Sequence, residues 1–260
     1  MTKAARTKDI DLRLFITHQL LASGIKREDI RHEITLDQAS SDGRADMVVL
    51  DDRWLTGIEL KSGSDKLDRC ATQAGQYAAR FDQSILVADV RLRPPMVEYQ
   101  STAWDRAERR NVDVVRQRNP SNDTGFPSLY AVERNAETGA IEFVRDQKWG
   151  CGLNVGAPWQ ENAKLEREQR RGHAPIVLGS MMSLLWADEV RAVACQLVAD
   201  GKIPPAPGPQ RCVVIPHLQE RASVAMVRPL IVQRLRTRRL NKWEEAFWRT
   251  FDAQVQGEAA

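Results

Sequence analysis

The stretch Gly43-Arg44-Ala45-Asp46-Met47-Val48-Val49-Leu50-Asp51-Asp52-Arg53-Trp54-Leu55-Thr56-Gly57-Ile58-Glu59-Leu60-Lys61-Ser62 sets the architecture expected of this chain. It reads as two short apolar strands joined by a tight polar turn centred near Asp52-Arg53, the two-residue connection of a β-hairpin. Asp46, Glu59 and Lys61 lie inside the apolar runs and not at their ends. Strands deplete such residues, and burying a charge is costly unless it is paired or bound to a metal. These three therefore need a reason.

Pairing outward from the turn supplies one. Asp51 falls opposite Trp54, Val49 opposite Thr56, Met47 opposite Ile58, Asp46 opposite Glu59, and Arg44 opposite Lys61. Directly opposite residues share a face, with Cβ atoms roughly 4.5–5.5 Å apart. Glu59 and Lys61 share that face as well, because side chains alternate with period two. Two carboxylates so close repel unless a proton or cation sits between them, and a divalent metal with hard oxygen ligands suits the gap.

Asp46…Glu59-x-Lys61 resembles the core of the PD-(D/E)xK nucleases, which have the restriction-endonuclease-like fold. Gln73 and Tyr77 give a Q-x-x-x-Y pair similar to that of the RecB-like and Holliday-resolvase-like branches. The R-A-D…G-x-E-x-K-S…Q…Y pattern looks most like nucleases of bacterial genomes and mobile elements. Ala45 stands where the name-giving proline would be, and the likeness covers residues 28–90. The resemblance implies that Asp46 and Glu59, with the Leu60 backbone carbonyl, hold Mg2+ (Mn2+ as a substitute), and that Lys61 positions or activates the attacking water. It implies a further acidic ligand at Glu33, with Glu28 a weaker candidate, a contact from Gln73 to the active site or a phosphate, and Tyr77 beside it as a nucleic-acid contact. Read from the residues alone, Glu33 is a solvent-facing acid on an edge strand, Gln73 a solvated side chain and Tyr77 a core residue.

Composition bounds the rest. The chain has 260 residues, 42% of them hydrophobic, enough for one large or two small domains with a real core. A net charge of only +3 confines any nucleic-acid affinity to local patches. Cys70, Cys151, Cys195 and Cys212 are widely spaced, which suggests reduced thiols and neither a disulfide framework nor a zinc site. No apolar run approaches the ~18–20 residues of a membrane span, and no signal-peptide core is visible, so a cytoplasmic location is expected.

Apolar spacing predicts a helix over 8–24, in which His18 is an ordinary half-buried histidine, and a strand over 30–36. After the hairpin, Asp65 or Ser64 is expected to cap a helix running to about Arg80. Ser84–Val90 is a continuous apolar run suited to a buried parallel strand reached through that helix. Residues 97–118 look helical and heavily charged, and a second hairpin over 128–146 is expected to extend the sheet. With the resemblance, this order implies a three-layer α/β/α sandwich with a mixed central sheet over residues 1–150. A charged linker over 151–175 and a small basic helical domain over 176–260 complete the expected organisation.

The C-terminal region carries Arg221, Arg228, Arg234, Arg236, Arg238, Arg239, Lys242 and Arg249, with Trp243, Phe247 and Trp248 interleaved. Arg234, Arg236, Arg238 and Arg239 are candidate phosphate contacts, and the aromatics candidate base platforms. The plainer reading docks the aromatics on the body and leaves the arginines in water. Arg44 is a further phosphate candidate, or else a charge partner for Glu33 or Glu59. The expected function is metal-dependent hydrolysis of DNA phosphodiesters. The alternatives are a junction-resolvase-type enzyme, for which a homodimer is expected, and a non-catalytic nucleic-acid-binding protein retaining the fold.

Overall fold

The computed structural model describes residues 6–36, 43–51, 54–92, 97–105, 110–118, 126, 128–144 and 176–258. The predicted Asp52-Arg53 turn, the 151–175 linker and Cys151 lie outside them. Helix α1 spans Asp9–Ala22 and ends where Gly24 turns back at φ +89°, a conformation that favours glycine. Strands β1 (Ile30–Thr35), β2 (Arg44–Leu50), β3 (Leu55–Lys61), β4 (Gln83–Asp89), β7 (Ser128–Arg134) and β8 (Ile141–Val144) form one six-stranded mixed sheet. Its order is β1-β2-β3-β4-β7-β8. The β3–β4 and β4–β7 pairs are parallel and the others antiparallel. The expected hairpin, the parallel strand after it and the second hairpin are all present. The inner register holds too, with Met47 opposite Ile58 and Val49 opposite Thr56.

The sheet is covered on both faces. Leu12, Ile16 and Leu20 of α1 join Phe247, Trp248 and Phe251 of the last helix, α7 (Lys242–Glu258), against Met47, Ile58, Leu60, Ile85 and Val87. On the other face Cys70, Ala74 and Tyr77 of α2 (Cys70–Ala78) pack on Val48, Leu50, Leu55 and Leu86. They are joined there by α3 (Leu178–Met182), α4 (Ala187–Ala199), α5 (Arg211–Arg221) and α6 (Val224–Thr237). The helices of 176–258 thus contribute to both cores.

One close approach positions α2. A Cβ added to Gly57 of β3 would sit 2.4 Å from the Phe81 ring and 2.7 Å from that of Tyr77. Only a bare backbone lets both rings lie on the sheet. Each fully buried side chain of this size contributes about 1.5–3 kcal/mol.

Two local expectations are corrected. Residues 97–118 are not helical: Val97–Asp105 (β5) and Arg110–Arg118 (β6) form a separate antiparallel pair. Their arginines suggested an exposed helix, but Val97, Tyr99, Thr102, Trp104, Val112, Val114 and Val115 are β-formers, and that preference prevails. Nor does Asp65 cap α2. Its carboxylate takes the N–H and hydroxyl of Ser62, each at 2.7 Å, and tightens the turn after Lys61, while α2 starts five residues later.

Candidate active site

The β2–β3 ladder runs from Leu50–Leu55 to Met47–Ile58. Beyond Met47, β2 stays with β1, pairing Ala45 with Ile34 and Arg44 with Thr35. Arg44 therefore does not sit opposite Lys61 as expected, and its side chain lies 3.5 Å from Glu33. Where the strands part, Asp46 replaces the missing backbone partner: its Oδ2 accepts the Leu60 N–H at 2.8 Å. Leu60, expected to offer its carbonyl, here offers its amide.

The parting leaves a row of acids across three strands. Glu59 is 2% exposed and surrounded by donors. Lys61 Nζ is 2.7 Å and Gln73 Nε2 2.6 Å from its Oε1, and the Tyr77 hydroxyl is 2.7 Å from its Oε2. Gln73 and Tyr77 reach it together because they lie one turn apart on α2. The Asp46 N–H also donates to the Tyr77 oxygen at 3.3 Å. Tyr77 is fully buried, so its expected role as a nucleic-acid contact is withdrawn and it serves the cluster from within the core.

Glu33 occupies the β1 position between His32–Met47 and Ile34–Ala45, across from Asp46. Its φ is +54°, the only such non-glycine value among the described residues. A left-handed residue inside a strand costs on the order of 1–3 kcal/mol and is held only where its surroundings over-determine it. Here they do, because a guanidinium holds its carboxylate. Arg13, 2% exposed, reaches Glu33 Oε1 at 2.7 Å, Asp46 Oδ1 at 2.8 Å, the Asp46 carbonyl at 2.5 Å and Asp9 at 2.6 Å.

Sequence reasoning missed Arg13. The available sign was its helical spacing to Thr17 and Leu20, both on the buried side of α1, with Asp9 one turn before it.

Acids outnumber cations in this cluster. Burial and the Glu59 carboxylate push Asp46 up to about 7, against the pull of Arg13 and the Leu60 amide. Burial alone would lower Lys61, but Glu59 outweighs it and holds the ammonium above the ordinary lysine range. Lys61 is thus a fixed positive charge.

Among the described residues no three His, Cys, Asp or Glu side chains are grouped to hold a metal ion. The pair Asp46 and Glu59 nonetheless has the chemistry a hard divalent cation requires: adjacent, largely buried carboxylate oxygens. The buried Gln73 Oε1 beside them has no hydrogen-bond partner. A cation bound there would compete with Arg13 and Lys61 for the same oxygens.

The C-terminal arginines are divided. Arg236 pairs with Asp29 at 2.6 Å, and Arg238 with Glu189 at 2.8 Å. Arg228 pairs with Asp82 at 2.6 Å. Arg239 is exposed, and Arg234 half-buried. Phe247 and Trp248 are each 2% exposed and cannot serve as base platforms; they dock α7 on the body, as the plainer reading had it.

A family model described as bacteriophage P4 protein cII matches residues 6–99. No curated protein and no solved structure matches the chain. The matched segment runs from α1 through β4, and it includes Arg13, Glu33, Asp46, Glu59, Lys61, Gln73 and Tyr77.

Proposed function

We propose that this chain is a Mg2+-dependent nuclease of the restriction-endonuclease-like fold that hydrolyses phosphodiester bonds in DNA. One observation carries the reading: two adjacent carboxylates, Asp46 and Glu59, stand at the mouth of a parted hairpin with the Lys61 ammonium 2.7 Å from Glu59. A structural ion pair balances its charges, whereas this cluster sets four carboxylates against the three cations Arg13, Arg44 and Lys61.

Asp46 and Glu59 would hold the cation, which when bound would supply an acidified water and a positive charge for the phosphate. Gln73 and Tyr77 fix the Glu59 carboxylate through its two oxygens. Lys61, kept protonated by Glu59, is unsuited to act as a general base. It stabilises negative charge developing on the phosphate and orients the nucleophile. Arg13 holds Asp46 and Glu33 in place from behind.

The competing reading, a nucleic-acid-binding protein without catalysis, draws on the same Arg13, whose guanidinium already neutralises part of Asp46. Cleavage of plasmid, linear single-stranded and branched DNA with Mg2+ or Mn2+ separates the two. The nuclease reading expects metal-dependent cleavage by the wild type and about 100-fold or greater loss in Asp46→Ala. No cleavage of any substrate, or equal cleavage by the variant, would leave the non-catalytic reading.

A further inference from the structure

Beside Glu33 lies a cleft of about 450 Å3 between β1 and the C-terminal helices. Its wall includes Glu33, Arg44, Trp186, Arg238, Arg239 and Trp243. We propose that this cleft binds an unpaired nucleic-acid strand and leads it to the acidic cluster, so that the substrate class of the proposed nuclease is single-stranded or locally unpaired nucleic acid. The inference rests on the nuclease reading for what happens next, but not for the binding itself.

Aromatic exposure is the first argument. Trp186 is 48% and Trp243 38% exposed, an unusual outlay of large apolar surface for one cleft. The Arg238 guanidinium lies over the Trp186 ring, 4.6 Å from its centre, and its bond to Glu189 holds it there. Trp243 stacks on Phe247 at 5.6 Å and carries Arg13 at 4.7 Å. Arg13 therefore touches both the cleft wall and Asp46. Trp186, held by Arg238 and about half exposed, suits the π-face of a base, a face that is free only in unpaired strands, while Trp243, covered by Phe247 and Arg13, braces the wall.

Charge is the second. The carboxylates in the wall are already partnered, Glu33 by Arg13 and Arg44, Glu244 by Arg31. Arg44, with its side chain 64% exposed, and Arg239, which has no ion pair among the described residues, face solvent. A second hollow of about 390 Å3 shares Arg238, Arg239 and Leu240 with the first; with Arg236 and Arg238 paired to Asp29 and Glu189, the basic rim is made by Arg44 and Arg239. A phosphate backbone matches that rim. Size is the third argument. A cleft of this volume is of small-ligand scale, roughly 300–1,000 Å3, the scale at which an unpaired base can be enclosed.

The test is binding of full-length protein to fluorescein-labelled oligothymidylate and to a mixed-sequence duplex of equal length. It is run in EDTA by anisotropy, so that hydrolysis plays no part. Single strands are expected to bind about 10-fold or more tightly than duplex and to quench tryptophan fluorescence. Trp186→Ala should weaken single-strand binding about 5- to 150-fold, and Arg239→Ala should lower the salt slope by roughly one ion. Because Arg239 is exposed, its variant is informative even if Trp186→Ala folds poorly. Equal binding of both nucleic acids, binding unchanged in both variants, no binding, or equal displacement of the oligonucleotide by polyglutamate would each overturn the proposal. Single-strand binding in a protein that cleaves nothing leaves this inference standing and removes the nuclease reading; cleavage without strand preference does the reverse.

Discussion

Two groups of buried charge lie on neighbouring strands of one sheet. Arg31 on β1 meets Glu244 of α7 through two parallel bonds of 2.9 and 3.0 Å. Its remaining donors reach the carbonyls of Leu235 and Arg238, and Glu244 also takes the His32 and Asn241 amides. Both residues are almost fully buried, and one positive charge answers one negative charge. The other group, two residues further along β1, gathers Asp9, Glu33, Asp46 and Glu59 around Arg13, Lys61 and Arg44. It keeps partial exposure, a left-handed backbone at Glu33 and a carboxyl pushed up to about 7. The first is satisfied and balanced; the second is strained, unbalanced and partly exposed. A buried pair locks elements together when its charges cancel. An excess of one sign beside a cleft is instead a place prepared for something to bind.

That contrast can be broken most severely at the lock. Arg31→Ala leaves Glu244 buried without its partner and should cost about 3–5 kcal/mol, lowering Tm by roughly 10 °C in a thermal melt. An unchanged Tm would mean that the lock contributes nothing. Gly57→Ala should cost about 1–3 kcal/mol by pushing Phe81 and Tyr77 off the sheet. Because Tyr77 holds Glu59, stability and cleavage should fall together, and a stable variant of normal activity would contradict the packing described.

The smallest effect has the opposite sign. Asp46 binds its proton up to about 7 in the fold, whereas its ordinary value is 3.8. The folded state therefore holds more protons in that interval. The stability this contributes is present below about pH 4 and is lost as pH rises through 7. Asp46→Asn removes the penalty. At pH 8 without divalent metal it should raise Tm by roughly 2–4 °C, near 1 kcal/mol, with no gain at pH 4. A lower Tm at pH 8 would show that the Arg13 bond to Asp46 outweighs the repulsion.

The hairpin was legible because its features are local: alternation, a polar turn and a two-residue period bring Asp46 and Glu59 to one place. The parallel strand β4 and the outer hairpin were legible for the same reason. Arg44 was misplaced because register counting assumes a ladder that continues, and it ends where Asp46 takes the Leu60 amide. Arg13 and the Arg31–Glu244 lock were invisible because their partners are distant: Arg13 and Asp46 lie 33 positions apart, Arg31 and Glu244 213. The C-terminal basic run misled in part because charge counts do not reveal that Asp29, Asp82 and Glu189 take up three of its arginines.

The 213 positions between Arg31 and Glu244 also fix when the protein matures. Chains grow at about 5–20 residues per second, so Arg31 waits on the order of tens of seconds for its partner. During that time β1 is already made, but α7, which covers one face of the sheet, has not emerged. All the acids of the cluster precede residue 60, so the cluster is synthesised early and its support late. Any nascent chain that stops before residue 242 therefore carries the acids without the helix that covers this face of the sheet.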